Sequence, residues 1–259
     1  MKRKITIIIC CYNGANRIGK VLEYIYNQKE LEIYVYEIIV VDDSTEIKEH
    51  ELDNCEIIYV RNKKNMGVQY SRNKGLENAN YKYILMLDGD DMLDTADKYQ
   101  GENSYIDKSI DILEKNNNIA FTQCISNMFG DFEGYTISSY KITEKLAVHK
   151  HHIPLFIIYR RIDGIKCGGY NTKIQKWQDW SFGVYIMNHY TEIHPDGTRA
   201  YQFVADTAYV RESGTKGEHK AAEYILKEAE KIAAQPGKET YIQTPHGAFP
   251  VPGFPGEKS

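Results

Sequence analysis

The chain has 259 residues, 42% hydrophobic and 26% charged, with a formal net charge of −4. These values exclude wholesale disorder and a uniformly basic nucleic-acid binder. Its five cysteines form no CxxC pair, which argues against a zinc ribbon or a disulfide framework and for a reducing, cytoplasmic compartment.

Ile5–Cys11 is a continuous apolar, β-branched run and reads as a strand buried on both faces. It is too short for a leader, and no small-residue cleavage site follows it. Asn13 offers an N-cap for a helix whose apolar face is Ile18, Val21, Leu22, Ile25 and Tyr26. Glu37–Val41 and Glu56–Val60 read as strands, Met66–Asn80 as a helix and Tyr83–Leu87 as a fourth strand. Ile106, Ile110 and Leu113 mark another helix, followed by strands at Ala120–Cys124 and Leu155–Tyr159. A short helix at Asp179–Asn188, a strand at Tyr201–Arg211 and an amphipathic helix at Ala221–Ala234 complete the series. Alternating strands and helices predict an α/β fold with a mainly parallel central sheet flanked by helices. No stretch approaches the roughly 18 apolar residues of a membrane span.

Five of the seven prolines follow residue 235. Residues 1–235 are therefore expected to form a single domain, and 236–259 a Pro/Gly-rich tail that is neither helix nor central strand.

Two acidic clusters end predicted strands, where ligands of open α/β sheets bind. Asp88-Gly89-Asp90-Asp91 places three carboxylates in four residues. A divalent cation relieves their repulsion, and oxygen ligands suit Mg²⁺ or Mn²⁺. A solvated acidic turn is the alternative, at about equal weight. Gly89 lets a ligand approach the backbone. Asp42-Asp43-Ser44 offers carboxylates to a nucleobase or ribose, or else caps the following segment. There is no GxGxxG and no GxxxxGK[ST], which weakens a dinucleotide enzyme and a P-loop ATPase.

The segments Ile7–Asn13, Ile39–Ser44, Asn65–Gly67, Ser71–Gly75 and Tyr83–Asp91, in this order, resemble the family 2 glycosyltransferases of GT-A fold. Tyr159–Arg161, Gly168–Tyr170 and Gln178–Trp180 resemble that family's acceptor-side segment. The likeness covers about residues 4 to 215. It implies a Rossmann-like nucleotide-sugar-binding half over 1–100 and an acceptor-side half over 101–235. It also implies a metal-dependent, inverting transfer from a UDP-sugar to an acceptor hydroxyl.

The resemblance also implies residue roles. Asp43, with Asp42 beside it, holds the uracil, and the backbone at Cys11 and Tyr12 lines the base pocket. Arg72 and Asp88 belong to the nucleotide site, Asp88 toward ribose or sugar. Asp90 binds Mn²⁺ or Mg²⁺, with His219, or Arg211 as the alternative, approaching the diphosphate from the C-terminal side. Asp179 is the general base, and Asp91, Gly169 and Trp180 lie on the acceptor or sugar side. Two positions depart from the family pattern. Cys10 stands where many members have proline, and Gln178 replaces the glutamate before the base. The second change keeps a non-catalytic nucleotide-sugar binder as an alternative. A sugar-nucleotide nucleotidyltransferase is the other, although Asn13–Arg17 is poor in the glycine its loop requires.

Between Lys141 and Gln178, eight Lys or Arg face two acids, +6 against −10 for the rest of the chain. A solvated loop is slightly favoured. The sharper reading is an acidic acceptor, whether a glycan, a lipid-linked group or a nucleic acid, with the protein in the cytoplasm or peripheral to a membrane.

Overall fold

The computed structural model describes residues 3–28, 34–44, 57–93, 104–130, 134–136, 153–174, 176–193, 200–209, 242–244 and 247–249. The expected helix at Ala221–Ala234, His219 and Arg211 lie outside these residues, as do Lys141, Lys145 and Lys150.

Strand β1 (Arg3–Cys11) is the centre of the sheet's first half. Ile5, Ile7, Ile8 and Ile9 are fully buried, as the apolar run predicts for a strand covered on both faces. Each such side chain contributes about 1.5–3 kcal/mol of burial free energy. β1 pairs in parallel with β2 (Tyr34–Asp42) on one side and with β4 (Tyr83–Asp88) on the other. β3 (Ile57–Arg61) extends the parallel ladder beyond β2. The chain therefore builds outward from β1 to β3 and then returns to β1's other side, which puts a topological switch point between β1 and β4.

Helix α1 (Ala15–Tyr26) buries Ile18, Val21, Leu22 and Ile25. Gly14, not Asn13, stands at its N-cap, and no side chain caps it. Asn13 instead adopts φ 49°, and its N–H donates to Ser44 Oγ at 2.8 Å. Tertiary bonding to the end of β2 thus overrides local capping. Helix α2 (Val68–Asn78) lies against β1. A Cβ on Gly75 would stand 2.3 Å from Ile8 Cγ2, so glycine sets this close approach.

Helix α3 (Tyr105–Lys115) is capped by Ser104, whose Oγ accepts the Asp107 N–H at 3.2 Å. Arg3 pairs with Asp107 and Asp111 and so ties the start of β1 to this helix. β5 (Ile119–Met128), β6 (Gly134–Thr136) and β7 (Ile158–Arg160) continue the sheet in the order β4-β7-β5-β6, all antiparallel, while β8 (Ala200–Tyr209) pairs in parallel with β5. The sheet is parallel through β1–β4 and mixed beyond them.

The apolar run Leu155–Tyr159 enters the ladder only at Ile158. Ile157 N–H bonds Leu155 O at 2.8 Å, so the run's first half is a tight turn buried for packing. Helix α4 (Arg161–Lys166) and helix α5 (Gln178–Ile193) follow, α5 being longer than its sequence pattern suggests. In the Pro/Gly-rich segment, β9 (Ile242–Thr244) and β10 (Gly247–Phe249) pair antiparallel. No helix among the described residues is long and apolar enough to cross a membrane.

Candidate active site

The carboxyl ends of β1, β2 and β4 open into a cleft of about 450 Å³. Its walls include Cys10, Cys11 and Tyr12 at the end of β1, Asp43 after β2, and Asp88, Gly89 and Asp90 at the end of β4. Gly67 and Arg72 come from the loop before α2 and from α2 itself, and Gln178 comes from the start of α5. The cleft thus occupies the switch point, where open α/β sheets bind ligands.

Asp43 is buried, and three donors hold its carboxylate. Asn62 Nδ2 and Met66 N–H both donate to Oδ1 at 2.8 Å, and Gly67 N–H donates to Oδ2 at 2.8 Å. The carboxylate organises the Asn65–Gly67 loop while still facing the cleft. Asn62 Nδ2 also reaches Ser71 Oγ at 2.9 Å, which ties this loop to α2.

Asp42 is not on the cleft wall. Its carboxylate accepts Ser44 N–H at 2.9 Å, the Ser44 hydroxyl, and Tyr59 O–H at 2.5 Å, with Cys11 Sγ at 3.7 Å. Burial pushes its pKa up, but the hydrogen bonds from Ser44 and Tyr59 outweigh it and hold the carboxyl below the usual range. Asp42, the last residue of β2, thus braces the cleft from behind, while Asp43, one residue on, lines it.

Arg72 is fully buried. Its Nη2 donates to Asp88 Oδ1 at 2.9 Å and Oδ2 at 3.2 Å. Among the described residues Nε and Nη1 find no acceptor, and the guanidinium lies 5.3 Å from the Tyr170 ring centroid, whose face takes up part of that deficit. Desolvation opposes the Arg72 charge, yet Asp88 and neighbouring groups keep it firmly protonated.

Asp90 stands half exposed, with Arg17 Nη1 3.7 Å from its Oδ2. Asp91 is buried, and its Oδ2 accepts the Asp88 N–H at 3.1 Å, which shapes the turn. The three members of the acidic cluster thus have three different environments. Among the described residues, no three His, Cys, Asp or Glu side chains gather into a cation cage. A Cβ on Gly89 would stand 2.9 Å from Cys11 Cβ, so packing against the end of β1 requires glycine at this point of the cleft wall.

Cys10 and Cys11 are buried thiols on the cleft wall. Burial, followed by the Asp42 charge, pushes the Cys11 thiol up to about 12.

Asp179 lies buried in the first turn of α5, one residue beyond the cleft-lining Gln178. Trp177 precedes it at φ 61°, and its carbonyl accepts the Ser181 N–H at 2.9 Å. Trp180 is buried and meets Trp177 edge-on at 5.9 Å, which places it in the core and not on the cleft. Gly169 lines a separate depression of about 420 Å³ with Asn73, Tyr170, Asn171 and Tyr185. The basic stretch loses Arg160, which is buried and donates to the carbonyls of Ile119, Leu113 and Asn116. Lys166 and Lys173 are exposed.

Sequence reasoning missed Asn62, Ser71, Gln69 and Asn73 as builders of the site. Three of them sit in α2, whose buried face is largely polar, so an apolar-periodicity reading gives the helix without its inward side.

Comparison with known proteins agrees with this geometry. Residues 6–132 match the sequence profile of glycosyl transferase family 2. The match spans just under half of the chain, and over these residues the chain is similar to that family. A cholesterol galactosyltransferase of Borreliella burgdorferi is 34% identical over 97 residues, which is 37% of this chain and 27% of that relative. The match thus spans about a quarter of the relative's length. The structure of S. aureus TarS 1–349 in complex with UDP aligns with TM-score 0.60 and 17% identity, covering 89% of this chain and 71% of that one. A mannosyltransferase from Pyrobaculum calidifontis, in complex with GDP-Man and Mn²⁺, aligns with TM-score 0.59 and 16% identity over 93% of this chain and 66% of that one. These likenesses show the GT-A fold.

Proposed function

We propose that the cleft binds a UDP-sugar and that the chain transfers the sugar to an acceptor hydroxyl with inversion. The observation that carries the reading is the convergence of Asp43, Arg72, Asp88 and Asp90 on one cleft at the switch point, with the start of α5 against it.

A carboxylate offers about four acceptor sites. Described donors occupy three on Asp43, and the fourth, on Oδ2, suits the single imide N–H of uracil. Guanine presents two adjacent donors to such a group, so one free site favours uridine. Tyr12, half exposed at the cleft mouth, offers a ring face to the base, and Cys11 lines the pocket beneath it. Asp42 acts indirectly, by fixing Ser44 and the Asn13 backbone.

The donor set fits a divalent cation that is shared with substrate phosphates, which needs only one or two protein carboxylates. Asp90 would hold it, because its only described partner is the distant Arg17. His219 is the expected second ligand. Asp88, held by Arg72, is left to contact ribose or sugar. When bound, Mg²⁺ or Mn²⁺ neutralises charge on the departing diphosphate.

Asp179 takes the proton of the acceptor hydroxyl as its oxygen attacks the anomeric carbon. The bond to the diphosphate breaks with its electron pair, and attack from the opposite face inverts the configuration. Exposed Lys166 and Lys173 are compatible with an anionic group on the acceptor. Residues 1–235 act as one catalytic unit.

The test is incubation of the purified chain with a panel of UDP-sugars and Mn²⁺ or Mg²⁺, with and without candidate glycan and lipid-linked acceptors. Release of UDP is expected. In a parallel incubation with UTP and a sugar 1-phosphate, release of pyrophosphate would identify a nucleotidyltransferase instead, and binding of the UDP-sugar without turnover in either assay would identify a non-catalytic binder.

A further inference from the structure

We infer that Asn73 is a positioning residue: it fixes the start of α5, and with it Asp179, against the donor cleft. The inference rests on the reading of Asp179 as the base.

The Asn73 carboxamide makes two hydrogen bonds to one residue. Its Oδ1 accepts the Tyr170 N–H at 2.7 Å, and its Nδ2 donates to the Tyr170 carbonyl at 2.8 Å. Only a side-chain amide offers a donor and an acceptor in this fork. One turn earlier on the same face of α2, Gln69 Nε2 donates to the Ile174 carbonyl. Two amides of the nucleotide-side helix thus hold both ends of the Tyr170–Ile174 segment. Within it, Ile174 N–H bonds Asn171 O at 3.1 Å, so the segment is a closed turn.

Gly169 completes the fit. Its φ is +72°, and a Cβ there would stand 2.5 Å from Asn73 Oδ1. The side chain of Tyr170 then carries the position inward. One side of its ring faces the Arg72 guanidinium at 5.3 Å. The ring also stacks on Phe182 of α5 at 3.9 Å, with 13° between the planes. Phe182 lies one turn beyond Asp179, and Gln178 at the helix start lines the donor cleft. Arg72, next to Asn73 in sequence, holds Asp88. Adjacent residues of one helix turn therefore fix an aspartate of the donor cleft and the loop that places the base. A shift of about 1 Å in such a group costs up to roughly 10²-fold in rate.

The chain has two tryptophans, Trp177 and Trp180, and they flank Asp179. Intrinsic fluorescence therefore reports on the start of α5 without any substrate. In Asn73→Ala, the emission maximum and acrylamide quenching of the tryptophans should change, and turnover of a UDP-sugar should fall by about 10–100-fold. UDP affinity by calorimetry should stay near the wild-type value. Gly169→Ala should give the same three readings, because it pushes the loop off Asn73. Asn73→Asp keeps the acceptor and loses the donor, and should fall between wild type and alanine.

Unchanged fluorescence in Asn73→Ala and Gly169→Ala would overturn the inference. A parallel loss of UDP affinity, turnover and melting temperature would also overturn it, by showing a general structural role. If Asn73→Ala does not fold, Asn73→Asp and Gly169→Ala decide between the same outcomes. If the wild type turns over no UDP-sugar, the donor reading fails, while the fluorescence comparison still decides whether Asn73 positions α5.

Discussion

Arg72 Nη2 grips both carboxylate oxygens of Asp88, at 2.9 and 3.2 Å, from a position with no solvent exposure to speak of. The pair joins α2 to the end of β4 and decides what each acidic residue after that strand is free to do. Asp88 is committed to the arginine, Asp91 to the turn, and Asp90 alone reaches into the cleft with little to hold it.

Breaking this pair from one side should be costly. Asp88→Ala leaves a buried guanidinium without its counter-charge, and we expect a loss of about 3–5 kcal/mol in chemical denaturation. Pairing Asp88→Asn with Arg72→Met should recover most of that stability, because no buried charge remains, while UDP binding stays impaired. Equal losses in the single and double variants would show that the pair is not the source of the effect.

Tyr59→Phe tests the Asp42 network. Asp42 is more acidic in the folded chain than in the unfolded one, so folding is favoured above the unfolded value, about pH 4. That contribution is lost as the pH falls through the lower, folded value. Removing the Tyr59 donor raises the folded value toward the unfolded one. The variant should therefore be less stable by about 1 kcal/mol at neutral pH and should converge on the wild type in acid. A difference that is constant from pH 7 to pH 2 would rule out the carboxylate as the cause.

Cys10 and Cys11 should resist alkylation. Buried and held as thiols, they present little thiolate at pH 8. Peptide mapping after iodoacetamide should find both unmodified in the native protein and modified in urea. Rapid native modification of Cys11 would mean that the cleft wall opens.

Much of the first half of the fold is legible in the sequence, because β1, β2 and β4 are unbroken apolar runs and each ends in the polar residues that line the cleft. Other features were not legible, for physical reasons. Leu155–Ile157 is as apolar as a strand but is buried in a turn, and composition does not distinguish the two. Asn13 has the chemistry of a cap, yet the Ser44 hydroxyl from a distant strand end takes its N–H. Asp42 and Asp43 look equivalent as neighbours. Only their partners separate them: Ser44 and Tyr59 hold Asp42 away from the cleft, while Asn62, Met66 and Gly67 hold Asp43 on its wall. Asn73 sits inside a segment that marks the family resemblance, but its bonds to Tyr170 span 97 positions and leave no local trace.

Asp90→Asn should weaken Mn²⁺ binding in the presence of UDP by at least tenfold in a spin-resonance titration, while UDP alone still binds through Asp43. Unchanged Mn²⁺ affinity would move the cation site elsewhere.

The most direct test is the comparison of wild type with Asp179→Asn, under the same donor and acceptor. The account predicts UDP affinity within about twofold of wild type and a transfer rate lower by about 10²–10⁴, the usual contribution of a general base. Transfer near the wild-type rate would contradict it and remove Asp179 from the chemistry.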